Sequence, residues 1–143
     1  MSAHDVMESI YSRWSGQSLT DDVAGGLWLS LAPSGTSYPY AVYDLISSVP
    51  DARANTTTSS GTEIYRIEFQ IALYGDTMSE VSTASKAVRA GFDNADLSLT
   101  GGEGDVLQCR CVNETPVKLE DDIWQWVLMY EILRSEPINP GGA

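Results

Sequence analysis

The sequence predicts an α+β fold: a mainly antiparallel β-sheet with two helices packed on one face and a long β-hairpin or loop around residues 47–62. Three observations predict it. Apolar residues recur at helical spacing in two segments, one at the N-terminus and one at 77–92. Apolar–polar alternation runs through 63–75, and 123–134 reads as a strand with one apolar face and the other partly apolar. The elements follow in the order helix, two strands, long strand, helix, two or three strands, with no internal repeat. A chain of 143 residues suits one domain, with a short flexible tail expected at about 135–143.

The first helix is expected from about Ser2 to Trp14, where Val6, Met7, Ile10, Tyr11 and Trp14 share one stripe. Ser2 can cap it, and Asp5 and Glu8 sit near the positive end of its dipole. The same stripe would suit a terminal arm docked on a neighbour. Ser15–Gly26 is polar and turn-rich, with Thr20-Asp21-Asp22 as a candidate cap for one helical turn. Gly26–Ile46 reads as a β-hairpin: a short apolar strand, a turn at Pro33, Ser34 and Gly35, then a strand opened by Tyr38-Pro39-Tyr40. Pro39 has no N–H to give a ladder, so it belongs at a strand start or an edge. Ser47–Thr62 is small, polar and nearly free of apolar residues. It cannot bury a core face, so it is a flexible loop or the exposed tip of a long hairpin.

Glu63–Gly75 is the clearest strand: Tyr65, Ile67, Phe69, Ile71 and Leu73 alternate with Arg66, Glu68, Gln70 and Ala72. Thr77-Met78-Ser79-Glu80 matches a capping box, with Thr at the cap and Glu three residues on. The helix behind it turns Val81, Ala84, Val88 and Phe92 inward and Lys86 and Arg89 outward. Leu97–Leu99 is a candidate short strand and Gly101–Gly104 a loop. Val106–Leu119 reads as a strand broken near Pro116, and Asp121-Asp122 as a turn. Ile123–Arg134 closes the fold, with Trp124, Trp126, Leu128, Tyr130 and Ile132 on one face. Val127, Met129 and Leu133 make the other face partly apolar, which suits a strand that is central or covered on both sides.

Composition restricts the function. Eight Lys and Arg against twenty Asp and Glu give a formal net charge of -12. Such a surface repels phosphate backbones and anionic lipid, so tight nucleic-acid binding and membrane-surface binding are not expected. The charge keeps a small protein dispersed; it would also suit the lining of a passage through which DNA slides without sticking. No apolar run approaches the ~20 residues of a membrane span, and the acidic N-terminus does not read as a signal peptide. Cys109 and Cys111 would share one face of a strand, where they could not easily bridge each other, and read as structural thiols in a reducing cytoplasm.

Catalytic patterns are missing. The one histidine is His4, too few for a zinc set and placed near a chain end. There is no Gly-x-Ser-x-Gly elbow and no phosphate-binding loop, since Gly101–Gly104 has no following Lys. The pairs Asp21-Asp22 and Asp121-Asp122 lack calcium-loop spacing, and Asp44 and Asp76 read as edge and cap residues. Trp124 and Trp126 could stack bases only beside a basic groove, which the sequence does not offer. No enzyme, metal or cofactor is expected.

One resemblance adds what the residues alone do not. The stretch Leu27-Trp28, Ala32-Pro33, Gly35-Thr36 and Tyr38-Pro39-Tyr40, behind an N-terminal helix, resembles the core signature of tail terminators (tail completion proteins) of long-tailed phages. The likeness extends over roughly Val6–Leu133. It includes the alternating strand, Ala84-Ser85-Lys86-Ala87-Val88-Arg89-Ala90 in the second helix and the closing strand. It implies a structural virion protein of the tail and neck, assembled in the host cytoplasm. Such a protein forms a homo-oligomeric ring, a hexamer, that caps the tail tube, ends its polymerisation and joins the head–tail connector. Partners would be the tail tube protein and a connector or stopper protein, with double-stranded DNA passing through the bore unbound.

On that reading the candidate contact residues are Trp14, Trp28, Tyr40, Arg53, Asn55, Thr57, Ser59, Glu103 and Asp105. Three other readings stay open: another neck component such as a stopper or adaptor, an acidic binding module unrelated to virions, and a small enzyme with scattered carboxylates.

Overall fold

The computed structural model describes residues 3–17, 19, 22–50, 62–93, 105–119 and 122–137. Its elements are α1 (Ala3–Gly16), β1 (Leu27–Leu29), β2 (Tyr40–Pro50), β3 (Thr62–Gly75), α2 (Met78–Phe92), β4 (Asp105–Lys118) and β5 (Trp124–Pro137). The strands form one sheet in the order β1-β2-β3-β5-β4. Both helices pack on the same face of it, so the fold is α+β as the sequence predicts.

The core lies between the helices and that face. β3 and β5 are its centre, in register from Thr62↔Pro137 to Gly75↔Trp124. The alternation of β3 brings Ile67, Phe69, Ile71 and Leu73 to the helices, and pairing adds Leu128, Tyr130 and Ile132. α2 presents Val81, Ala84, Val88 and Phe92, all fully buried. α1 presents Val6, Ile10 and Trp14, one residue per turn. Phe92 is the meeting point: its ring lies 6.4 Å from Trp14, 6.5 Å from Phe69 and 6.0 Å from Tyr130. Met7 packs at the margin of this core, whereas Tyr11 turns half out to solvent, so the apolar stripe of α1 is narrower than its sequence suggests.

The Gly26–Ile46 segment is not a hairpin. β1 and β2 run parallel, pairing Leu27↔Ala41, Trp28↔Val42 and Leu29↔Tyr43. A parallel pair requires the chain to return to the level at which the first strand began. Here that is a short trip, because three residues of β1 span only ~10 Å. Residues 30–39 make it. Ser30 leaves β1 in the left-handed region (φ 61°), its hydroxyl donating to Asp44 Oδ1 at 2.6 Å. Pro33–Thr36 reverse the chain in a turn with Gly35 at φ 84°. The return is fastened where Gly25 N–H donates to the Pro39 carbonyl (2.8 Å) and Ala41 N–H to that of Gly26 (2.9 Å). Pro39, joined to Tyr38 by a cis bond, stands immediately before β2.

Of the two readings of 47–62 the long hairpin holds, and three further details depart from the sequence reading. β2 continues to Pro50 and pairs with β3 through Pro50↔Tyr65, so residues 51–61 connect the arms of a long β-hairpin. β4 is not broken at Pro116, which pairs with Trp126; its irregularities fall between Val106 and Gln108 and between Cys111 and Asn113. As an outermost strand it tolerates a residue without an N–H. β5 continues past Arg134 to Pro137, and Arg134 is fully buried on the core face. In the capping box of α2, Thr77 accepts from Glu80 N–H as expected, but Glu80 Oε1 accepts from Asp76 N–H, one residue before the cap. Residues 135–137 of the expected flexible tail belong to β5, paired with β3; the rest of the tail, the candidate strand at 97–99 and the loop at 101–104 lie outside the described residues.

Candidate interaction surface

With the helices on one face, the chemistry that remains is on the other face and at the two edges. Register arranges the open face in rows. Tyr40, Tyr74 and Gln125 form one, Trp28, Val42, Ala72, Val127 and Thr115 the next, and Asp44, Gln70, Met129 and Asn113 a third. The first row is an aromatic ladder: Tyr38 stacks on Tyr40 at 5.4 Å and Tyr40 on Tyr74 at 5.0 Å. Gln125 Nε2 donates to Tyr74 Oη at 2.9 Å. Burial, then the neighbouring Tyr38 and Tyr74 hydroxyls, push the Tyr40 phenol above its ordinary range. Stacked rings hide their faces from solvent, so the ladder stiffens the sheet and offers little platform for nucleobases. Within the second row Val42 and Ala72 are buried.

The edges differ. At β1, Trp28 (38% exposed), Leu29 (51%) and Leu31 (82%) lie open beside half-exposed Tyr11 of α1. Trp28 Nε1 donates to the Gly25 carbonyl at 2.8 Å, so its polar end is satisfied and its ring remains as apolar surface. Tyr11, Trp14, Gln17, Leu19 and Leu27 line a half-open cleft of about 320 Å³ next to this edge. At β4, Val112 and Val117 are exposed together with Arg110 and Lys118.

The one dense polar network described holds α2 to β4 and β5. Arg89 contacts Asp93 Oδ2 (2.9 Å) and Glu114 Oε2. Asp93 Oδ1 accepts from Tyr130 Oη at 2.8 Å, and Glu114 Oε1 from Trp126 Nε1 at 3.1 Å. The hydrogen bond to Asp93 raises the Arg89 pKa, and burial followed by that same carboxylate pushes the Tyr130 phenol far up. These contacts tie the C-terminal end of α2 to β4 and β5 within the fold, which makes the group a strut. Cys109 is buried, and burial raises the pKa of the half-buried Cys111 thiol, disfavouring the thiolate. Among the described residues no group of three His, Cys, Asp or Glu is placed to hold a metal, and no helix is long and apolar enough to cross a membrane.

Of the residues expected to make contacts, Trp28 and Tyr40 stand on adjacent rows of the open face. Trp14 goes to the core, only 8% exposed, with almost no surface left to bury against a partner. Arg53, Asn55, Thr57, Ser59 and Glu103 lie outside the described residues, and Asp105 opens β4 opposite Ser135. Sequence reasoning missed Leu29 and Leu31. An apolar run entering a strand reads as core, and only the turn at Ser30 brings them out.

No protein-family model matches the chain, and no curated protein matches its sequence. Among solved structures, a chain from the virion of a native gene transfer agent particle is similar. It superposes with a TM-score of 0.75 at 16% identity, over 93% of this chain and 96% of that one. The two share a fold along nearly their whole lengths.

Proposed function

We propose that this chain is a structural protein of a phage-like virion and acts by assembly, without catalysis. The observation that carries the reading is the fold it shares, end to end, with a chain of the gene transfer agent virion. Coverage above nine-tenths of both chains means that the whole domain corresponds. The finer role is that of tail terminator at the neck: a homo-hexameric ring that caps the tail tube, stops its growth and receives the head connector or stopper. The Leu27–Tyr40 signature supports it, and so does a surface suited to docking, with a bare sheet face and two apolar edges. The net charge of -12 suits a bore that passes duplex DNA without binding it.

The test is tube growth. Tail tube protein polymerised with and without this chain is imaged by negative stain. Tubes that end in a ring and stop elongating are the expected result. Tubes of unchanged length with bare ends would count against a terminator, and binding to the connector alone would favour a stopper or adaptor.

A further inference from the structure

Resting on the ring reading, we infer that the partner of the β1 edge is the β4 edge of a second copy of this chain, in a head-to-tail contact. Six of the nine large apolar side chains that the described residues expose gather at these two edges: Tyr11, Trp28, Leu29 and Leu31 at one, Val112 and Val117 at the other. β1 and β4 are the outermost strands of a five-stranded sheet, so a single copy cannot bring the two edges together.

Of the two edges only β4 carries basic side chains, and they stand among Glu114 and the 90% exposed Asp122. At the β1 edge Asp44 accepts from Ser30, the residue that ends the strand, and Asp22 precedes the strand in sequence. Arg13 of α1 is turned away and donates to the Gly91 carbonyl at 2.8 Å. The β4 edge carries Arg110 and Lys118, each 55% exposed at the side chain. Their partners within the chain, Glu131 and Asp122, are each 3.4 Å away, long and solvent-screened pairs that leave donors for another copy. A β1-to-β1 contact would set acid against acid. The cleft beside β1 gives an apolar side chain of the incoming edge a place to enter.

The contact runs through side chains. The two irregularities of β4 and Pro116 interrupt its outer row of backbone donors, so a continuous ladder onto β1 cannot form. Unlike surfaces on opposite sides of a subunit generate a ring when the rotation closes.

Two full-length variants test this by sedimentation velocity and native mass spectrometry. One carries Leu29→Ser with Leu31→Ser, which removes the apolar surface without adding charge; the other carries Arg110→Glu with Lys118→Glu. All four positions are exposed, and melting curves check that each variant folds, with Leu31→Ser as the milder β1 change. Each variant has one intact edge. The inference expects either variant alone to be a monomer while wild type assembles. Their mixture should then form a 1:1 dimer, about twice the 15.5 kDa chain, and nothing larger. If wild type assembles but either variant assembles equally well, or the mixture stays monomeric, the ring uses other surfaces and the inference fails alone. Wild type that stays monomeric at every concentration, and on tube ends, overturns the ring reading and the inference together.

Discussion

At the residue scale, Tyr130 and Gly25 carry the most. Tyr130 is fully buried, stacks on Phe69 at 5.2 Å and donates to Asp93 Oδ1. Tyr130→Phe keeps the stack and leaves a half-buried carboxylate oxygen short of a donor. The expected loss is about 1–2 kcal/mol in urea unfolding. The same residue predicts alkaline behaviour. Its phenol is held neutral in the fold, whereas an unfolded tyrosine ionises near pH ~10. Below that pH both states are protonated and the stabilisation is complete. Above it only the unfolded state releases the proton, so stability falls by up to ~1.4 kcal/mol per pH unit. Tyr43, whose pKa burial also raises, adds to the trend. Unfolding midpoints at pH 8 and above pH 10 should diverge in wild type and diverge less in Tyr130→Phe.

Gly25 matters for a different reason. A Cβ there would collide with the Ser37 carbonyl and come within 2.7 Å of Tyr40 Cβ, at the point where the returning chain is fastened. Gly25→Ala is expected to cost about 1–3 kcal/mol, read as a lowered melting temperature. An unchanged melting temperature would mean that this junction does not hold β1 in place.

At the element scale, α2 was the most legible part of the chain. Spacing of Val81, Ala84, Val88 and Phe92 and the Thr77–Glu80 pair are local signals, and the structure uses them locally. Thr77→Ala should cost about 1 kcal/mol, measured by thermal or urea unfolding. β3 and β5 were legible for the same reason, since alternation depends only on one face meeting the core. The parallel pairing of β1 with β2 was not. Pairing direction depends on where residues 30–39 return, and no residue in that segment signals it before Gly25 and Pro39 are seen to meet. Pro116 misled because its cost depends on sheet position, and an outermost strand bears it cheaply. The candidate surface was half legible. Trp28 and Tyr40, candidate contact residues in the sequence, lie on the open face, whereas Trp14 could not be told apart as core or contact from a helical stripe that serves both. Leu31 became visible as surface only through the turn at Ser30.

At the scale of the whole molecule, the chain shares its fold with a chain of a gene transfer agent virion and carries two unlike sheet edges and a strongly acidic balance. The acidic balance predicts no retardation of duplex DNA at physiological salt, checked by gel shift or fluorescence anisotropy; tight binding would contradict a non-adhesive bore. β2 and β3 pair up to Pro50↔Tyr65, and β3 is held independently by β5. Deleting residues 54–60 should therefore leave melting nearly unchanged while impairing assembly. Loss of folding would make that segment part of the core.

The most direct measurement is the mass of the purified protein by native mass spectrometry, alone and mixed with tail tube protein. A closed ring of six 15.5 kDa chains, about 93 kDa, alone or on tube ends, is the expected result. A 15.5 kDa monomer indifferent to tubes would contradict it and leave an acidic α+β domain with another role.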